Sequence, residues 1–203
     1  MLEFLRATTL ILVLLNPFLV VLYLLDVIQK REMKSFTKAL AKAGFISILI
    51  FWIFALLGDS VFSELMQAQF ESFQIFGGLV FLLIGLNFVF KGSDSIELLR
   101  GDSEHLAGAI AMPALIGPGT ISASVVVGNR LEPLSACMAI LVAVTLSLLV
   151  MIGLKKVHDY VRPRNEQLVQ RYIEVMGRIT AFYVGTIAVD MMMRGFSGWI
   201  EKI

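Results

Sequence analysis

Pro17 and Pro118 each sit inside a hydrophobic stretch long enough to cross a bilayer, and they lie 101 positions apart in a chain of 203. The relation recurs elsewhere: Gly77 and Gly85 return as Gly177 and Gly185, 100 positions later. One coincidence means little, but three at nearly one spacing point to duplication. Proline has no N–H, so within a helix it leaves the carbonyl four residues earlier without its donor, and hydrocarbon offers no replacement. A symmetric pair of such breaks fits a polar cavity buried in protein, as in transporters built from internal repeats.

Composition places the chain in a membrane. Hydrophobic residues make up 58% and charged residues 16%, with a mean hydropathy of +0.84, far from the balance of a soluble domain. The apolar runs are Ala7–Ile28, Ala39–Leu57, Phe73–Phe90, Ile110–Val127, Ser135–Leu154 and Val175–Met193. Most approach the roughly 20 residues that span a hydrocarbon core of about 30 Å at 1.5 Å per residue. The expected fold is therefore all-α, six transmembrane helices in a single domain over residues 1–203. Repeat A covers about 1–92 and repeat B about 108–203. The first run is too long for a signal-peptide core and lacks a basic start, so it is expected to remain as a helix. Cys137, the lone cysteine, can form neither a disulfide nor a cysteine metal cluster within the chain.

Charge gives an orientation. Lys30, Arg31, Lys34 and Lys38 follow the first run, Lys91 and Arg100 the third, and Lys155, Lys156, Arg162, Arg164 and Arg171 the fifth. The opposite side carries Arg6, Arg130, Arg194 and Lys202. By the positive-inside rule both termini face away from the cytoplasm, and the basic loops set topology rather than bind nucleic acid. Lys42 and Arg178 lie near cytoplasmic helix ends, where long side chains snorkel. Three helices per repeat make the second repeat cross in the opposite direction, so the repeats are expected to be inverted.

Asn16 before Pro17 pairs a favoured N-cap with a favoured first helical residue, and Pro118 lies between Gly117 and Gly119, with Thr120 and Ser122 following. Helices one and four are thus expected to break at Asn-Pro and Gly-Pro-Gly, with Pro113 marking a further kink or the start of a re-entrant segment. The two new half-helix N-termini would converge from opposite sides, each with about half a positive charge and unpaired N–H groups suited to a carboxylate. The freed carbonyls of Val13 and Ala114 and the Asn16 side chain could accept from an ammonium. Both features together suit a zwitterion. Substrate contacts are therefore expected at Asn16, Pro17, Gly117, Pro118, Gly119, Thr120 and Ser122. Asp190 and Asn87 are the candidate gate or coupling residues. The glycines of helices three and six, Gly77, Gly78, Gly85, Gly177 and Gly185, are expected to serve close helix packing.

Leu15-Asn16-Pro17, Ile75-Phe76-Gly77-Gly78-Leu79-Val80-Phe81-Leu82, Ala111-Met112-Pro113-Ala114-Leu115-Ile116-Gly117-Pro118-Gly119-Thr120-Ile121-Ser122 and Val175-Met176-Gly177-Arg178 together resemble the MarC family over nearly the whole chain. The resemblance implies a six-helix protein of the bacterial inner (cytoplasmic) membrane. It also implies a relation to SnatA-type small neutral amino-acid transporters and, more remotely, to LysE-like exporters. The chain departs from the family pattern in three places. Phe18-Leu19-Val20-Val21 lacks the usual second proline, Ala188-Val189-Asp190-Met191 stands where relatives often read Ala-Val-Gln-Met, and Asn87 replaces a residue that is often charged. Both histidines, His105 and His158, fall in expected loops, and no His-Glu-x-x-His, Gly-x-Ser-x-Gly or phosphate loop occurs, so no enzyme, cofactor or metal site is expected. The expected function is alternating-access export or exchange of small neutral amino acids such as alanine or glycine, with proton or sodium coupling open. A membrane scaffold or regulatory protein, or a channel, is the alternative. The expected partners are the substrate and the lipid bilayer.

Overall fold

The computed structural model is helical in all its regular structure over the residues it describes, 1–17, 20, 32–58, 60–65, 67–91 and 115–201. These form α1 (Leu2–Leu15), α2 (Met33–Leu57), a π-helical turn (Val61–Leu65), α3 (Phe70–Lys91), α4 (Pro118–Arg130), α5 (Pro133–Val161) and α6 (Glu166–Ile200). Each expected apolar run falls at least partly on one of the six α-helices. Among the described residues α2 and α5 are long and apolar enough to cross a membrane unaided, while the apolar part of α3 is the shorter Phe70–Leu86. With 35 residues, α6 is about 52 Å long at 1.5 Å per residue and outruns a hydrocarbon core.

Local sequence explains the ends. Gly58 closes α2 at φ +55°, a conformation that side chains resist, and its N–H donates to the Phe54 carbonyl at 2.9 Å. Only Leu131 and Glu132 separate α4 from α5, which opens on Pro133 at its first position, where the missing N–H costs nothing. The π-helical turn tucks Phe62 into a cluster with Phe54, Phe70 and Phe73, ring centroids 5.0–5.5 Å away. Phe62 also packs with Val125, so the turn covers the middle of α4.

The packing carries a regularity of its own. Phe36, Leu40, Ala43, Gly44, Ser47, Phe51 and Ala55 are the buried residues of α2. Ala136, Ile140, Ala143, Val144, Ser147, Met151 and Lys155 of α5, each 100 positions later, are buried as well. Helix α1 packs on α5 and α4 packs on α2, so the same relation appears twice with the halves exchanged. The most extensive contact joins α3 to α6. There Gly85 lies against Gly185, and Gly78 against Ala188 and Met192, so the two helices run antiparallel.

Small residues let backbones touch where no apolar driving force separates helix from lipid. A Cβ at Gly128 would collide with the Ala55 carbonyl, and one at Gly78 would lie 2.7 Å from the Ala188 carbonyl oxygen. Gly185 lies at this close crossing, as expected, yet its own side is not sterically required. Its Cβ direction is open, because at this crossing Gly85 is the residue that points at its partner's backbone. Gly128→Ala should therefore lower stability by about 1–3 kcal/mol through overpacking, whereas Gly185→Ala should be neutral or gain up to about 1 kcal/mol in helix propensity. Thermal unfolding of the two purified variants in detergent checks the difference in sign.

Candidate functional site

Asn16 ends α1 in the left-handed region, at φ +38° and ψ +75°, where Asn is among the few side chains tolerated. Its N–H donates to the Leu12 carbonyl at 3.2 Å, and its own carbonyl accepts from the Val20 N–H at 3.1 Å. The buried Pro17 has no N–H to return to Val13. The Val13 carbonyl instead accepts a hydrogen bond from the Tyr183 hydroxyl of α6 at 3.0 Å. Sequence reasoning had reserved that carbonyl for an ammonium; Tyr183 already occupies one of its two lone pairs. The only hint in the sequence is that a proline in an apolar helix demands a donor from somewhere.

Helix α4 opens with the Gly-Pro-Gly block. Gly117 is the extended N-cap (φ −116°, ψ 169°) and Pro118 the first helical residue. The Gly117 N–H donates to Thr120 Oγ1 at 3.0 Å, and the single Thr120 hydroxyl proton is shared between the Leu115 and Gly117 carbonyls, 3.0 and 2.9 Å away. Glycine has no side chain to cap the first turn, and among the described residues no side-chain cap reaches the N–H groups of Gly119 and Thr120. Both residues are buried. N–H groups at a buried helix N-terminus favour an anionic group.

Among the described residues, four helices meet here. A Cβ on Gly119 would stand 3.3 Å from Phe81 of α3, 3.6 Å from the Met191 sulfur of α6 and 3.8 Å from Leu14 of α1. Gly77 of α3 leaves the room that Pro118 fills. One turn along, the Gln74 side-chain amide of α3 donates to Ser122 Oγ at 3.0 Å, a buried polar pair between α3 and α4. Gln74 was not among the expected site residues. It reads as one polar residue in an apolar run, and only its partner 48 positions away gives it a role.

The remaining candidates fall elsewhere. Asp190 is exposed and accepts from Arg194 Nε at 2.8 Å. It adjoins Met191 in sequence but lies on the outward side of α6, so the structure does not bring it to the cluster. Asn87 lies on α3, and its side chain is outside the described residues, as are Pro113 and Ala114. A cleft of about 330 Å³ lined by Leu57, Gly58, Ser60, Gly128 and Asn129 lies toward the far end of α4, about 13 Å from Gly119 by helical rise.

If Asn16 is chosen for its backbone conformation, Asn16→Gly should keep the fold while Asn16→Leu should cost about 1–2 kcal/mol. Tyr183→Phe, which strands the Val13 carbonyl, should cost about 1–3 kcal/mol. Unfolding midpoints in one detergent rank the three variants, and a Tyr183→Phe protein as stable as the parent would remove the tyrosine from the account.

Comparison with known proteins gives the family. The family described as "MarC family integral membrane protein" matches residues 1–200. The UPF0056 membrane protein YhcE of Escherichia coli (strain K12) is 24% identical over 192 residues, covering 91% of this chain and 87% of that protein. The UPF0056 membrane protein MJ1677 of Methanocaldococcus jannaschii is 25% identical over 206 residues, 96% of each chain. A UPF0056 membrane protein of Aquifex aeolicus is 28% identical over 152 residues, 71% of this chain and 70% of its own. No solved structure matches. The chain belongs to the MarC family of integral membrane proteins.

Proposed function

We propose that this protein is a secondary transporter that carries small neutral amino acids across the cytoplasmic membrane by alternating access between two inverted three-helix halves. The observation that carries the reading is the meeting of two interrupted backbones. The left-handed Asn16 and the Val13 carbonyl, which Pro17 leaves to the Tyr183 hydroxyl, belong to one, and the first turn of α4 at Gly117–Thr120 belongs to the other. Leu14 and Gly119 bring them together. The N–H groups of Gly119 and Thr120 would take the substrate carboxylate, and the Asn16 side chain and the second lone pair of the Val13 carbonyl would take its ammonium. Thr120 and Ser122 would flank it. Glycine at position 119 keeps the anion within reach of the backbone.

Inversion is supported by the burial register of α2 and α5 at an offset of 100, by the exchanged packing of α1 on α5 and α4 on α2, and by the antiparallel contact of Gly85 with Gly185. Residues related by a two-fold axis touch each other only where that axis passes between them. The segregation of basic residues gives the orientation, with both termini outside the cytoplasm. Asp190 and Asn87 remain the candidates for gating or ion coupling. The substrate class follows from the sequence resemblance and from the suitability of the site for a zwitterion.

Labelled alanine should show saturable counterflow in proteoliposomes. Alanine should compete with it far better than propionate or ethylamine, each of which leaves one set of polar groups unpaired at a cost of about 1–3 kcal/mol. Gly119→Leu should abolish counterflow in a protein that still folds. Equal competition by propionate would exclude the zwitterion site, and no counterflow by the folded parent would favour a scaffold.

A further inference from the structure

We infer that the free face of α2 is a binding site for an anionic phospholipid, held by Lys34, Lys38 and Lys42. The three lysines are exposed and recur every four residues, so they stand in one row about 12 Å long on a helix rising 1.5 Å per residue. The same face continues as exposed Phe45, Leu49 and Ile53. Three ammonium groups above an apolar strip match an acidic headgroup above its acyl chain.

Topology alone does not account for the row. Charges that orient a helix flank it, yet Lys42 is nine residues beyond the start of α2, about 13 Å along the axis. It lies inside the apolar run that begins at Ala39, so its stem must extend back along the helix to bring the ammonium to headgroup depth. Among the described residues none of the three is paired with a carboxylate. Lys155 at the same end is different, being buried and 3.0 Å from Asp159.

The internal register supplies the contrast. The positions of α5 that correspond at the offset of 100 are Leu134, Met138 and Val142, and all three are exposed. The two helices therefore present one face of the same design at their N-terminal ends, apolar on α5 and cationic on α2. Packing does not require the lysines, since their counterparts on α5 are apolar. An acidic headgroup does, and each lysine near such a surface is worth about fivefold in affinity. This site is separate from the amino-acid site and stands whether or not the protein transports.

The test is lipid binding by the purified full-length chain in a neutral detergent, measured by native mass spectrometry with phosphatidylglycerol and with phosphatidylcholine of matched acyl chains. Phosphatidylglycerol should be retained in preference. The triple variant Lys34→Gln, Lys38→Gln, Lys42→Gln should weaken it by about a hundredfold, and the corresponding triple arginine variant should restore it. Should the triple glutamine protein fail to fold, Lys42→Gln alone should weaken binding by about fivefold. A control pair, Lys156→Gln with Arg164→Gln, should change binding by less than about twofold. The inference is overturned if phosphatidylcholine binds equally well, if the glutamine variants keep their phosphatidylglycerol, or if the control pair loses as much. Displacement of the lipid by equimolar inorganic phosphate would also overturn it, showing an anion site without lipid selectivity.

Discussion

A carbonyl without a donor in hydrocarbon costs several kcal/mol, and Pro17 creates one at Val13. The structure depends on how that debt is met. The Tyr183 hydroxyl, 170 positions away, donates to it at 3.0 Å and so ties the break in α1 to α6. Helix α6 is in turn laid along α3, and α3 reaches α4 through Gly77 against Pro118 and through Gln74 to Ser122. One missing N–H thus recruits a chain of contacts through all four helices that surround Gly119. Each contact is polar or close-packed, because burial of apolar surface gains little when the alternative is lipid.

The internal register is the second organising constraint. Seven buried positions of α2 recur on α5 at an offset of 100, although the residues often differ in kind, as with Phe36 and Ala136 or Ala55 and Lys155. Burial is conserved between the halves more than identity. The differences mark where the two registers part. Lys155 stays buried by pairing with Asp159 and lying 5.6 Å from the Phe36 ring centroid, and the lysine row on α2 has no counterpart on α5.

Much of this was legible in the sequence, and the rest was hidden for identifiable reasons. Apolar length located the helices, and Pro17, Gly117 and Pro118 marked helix boundaries through local rules that need no partner. The offset of 100 was visible in Gly77, Gly85, Gly177 and Gly185. Which of two facing glycines is sterically required was not, because that depends on helix rotation: Gly85 points at its neighbour's backbone and Gly185 does not. Tyr183 and Gln74 were missed because their partners are distant in sequence. The pairing of Asp190 with Arg194, four residues on, was by contrast legible, because that spacing brings two side chains together on one helix face.

Alternating access requires that the junction of α1 and α4 be reached in turn from the two sides of the membrane. Ser122→Cys in a Cys137→Ala background places one thiol at that junction, and its labelling by a membrane-impermeant maleimide can be followed separately from each face of oriented vesicles. Alternating access predicts labelling from both faces, with millimolar alanine slowing both reactions. A thiol that reacts from one face only, or from neither, in a folded protein would contradict it.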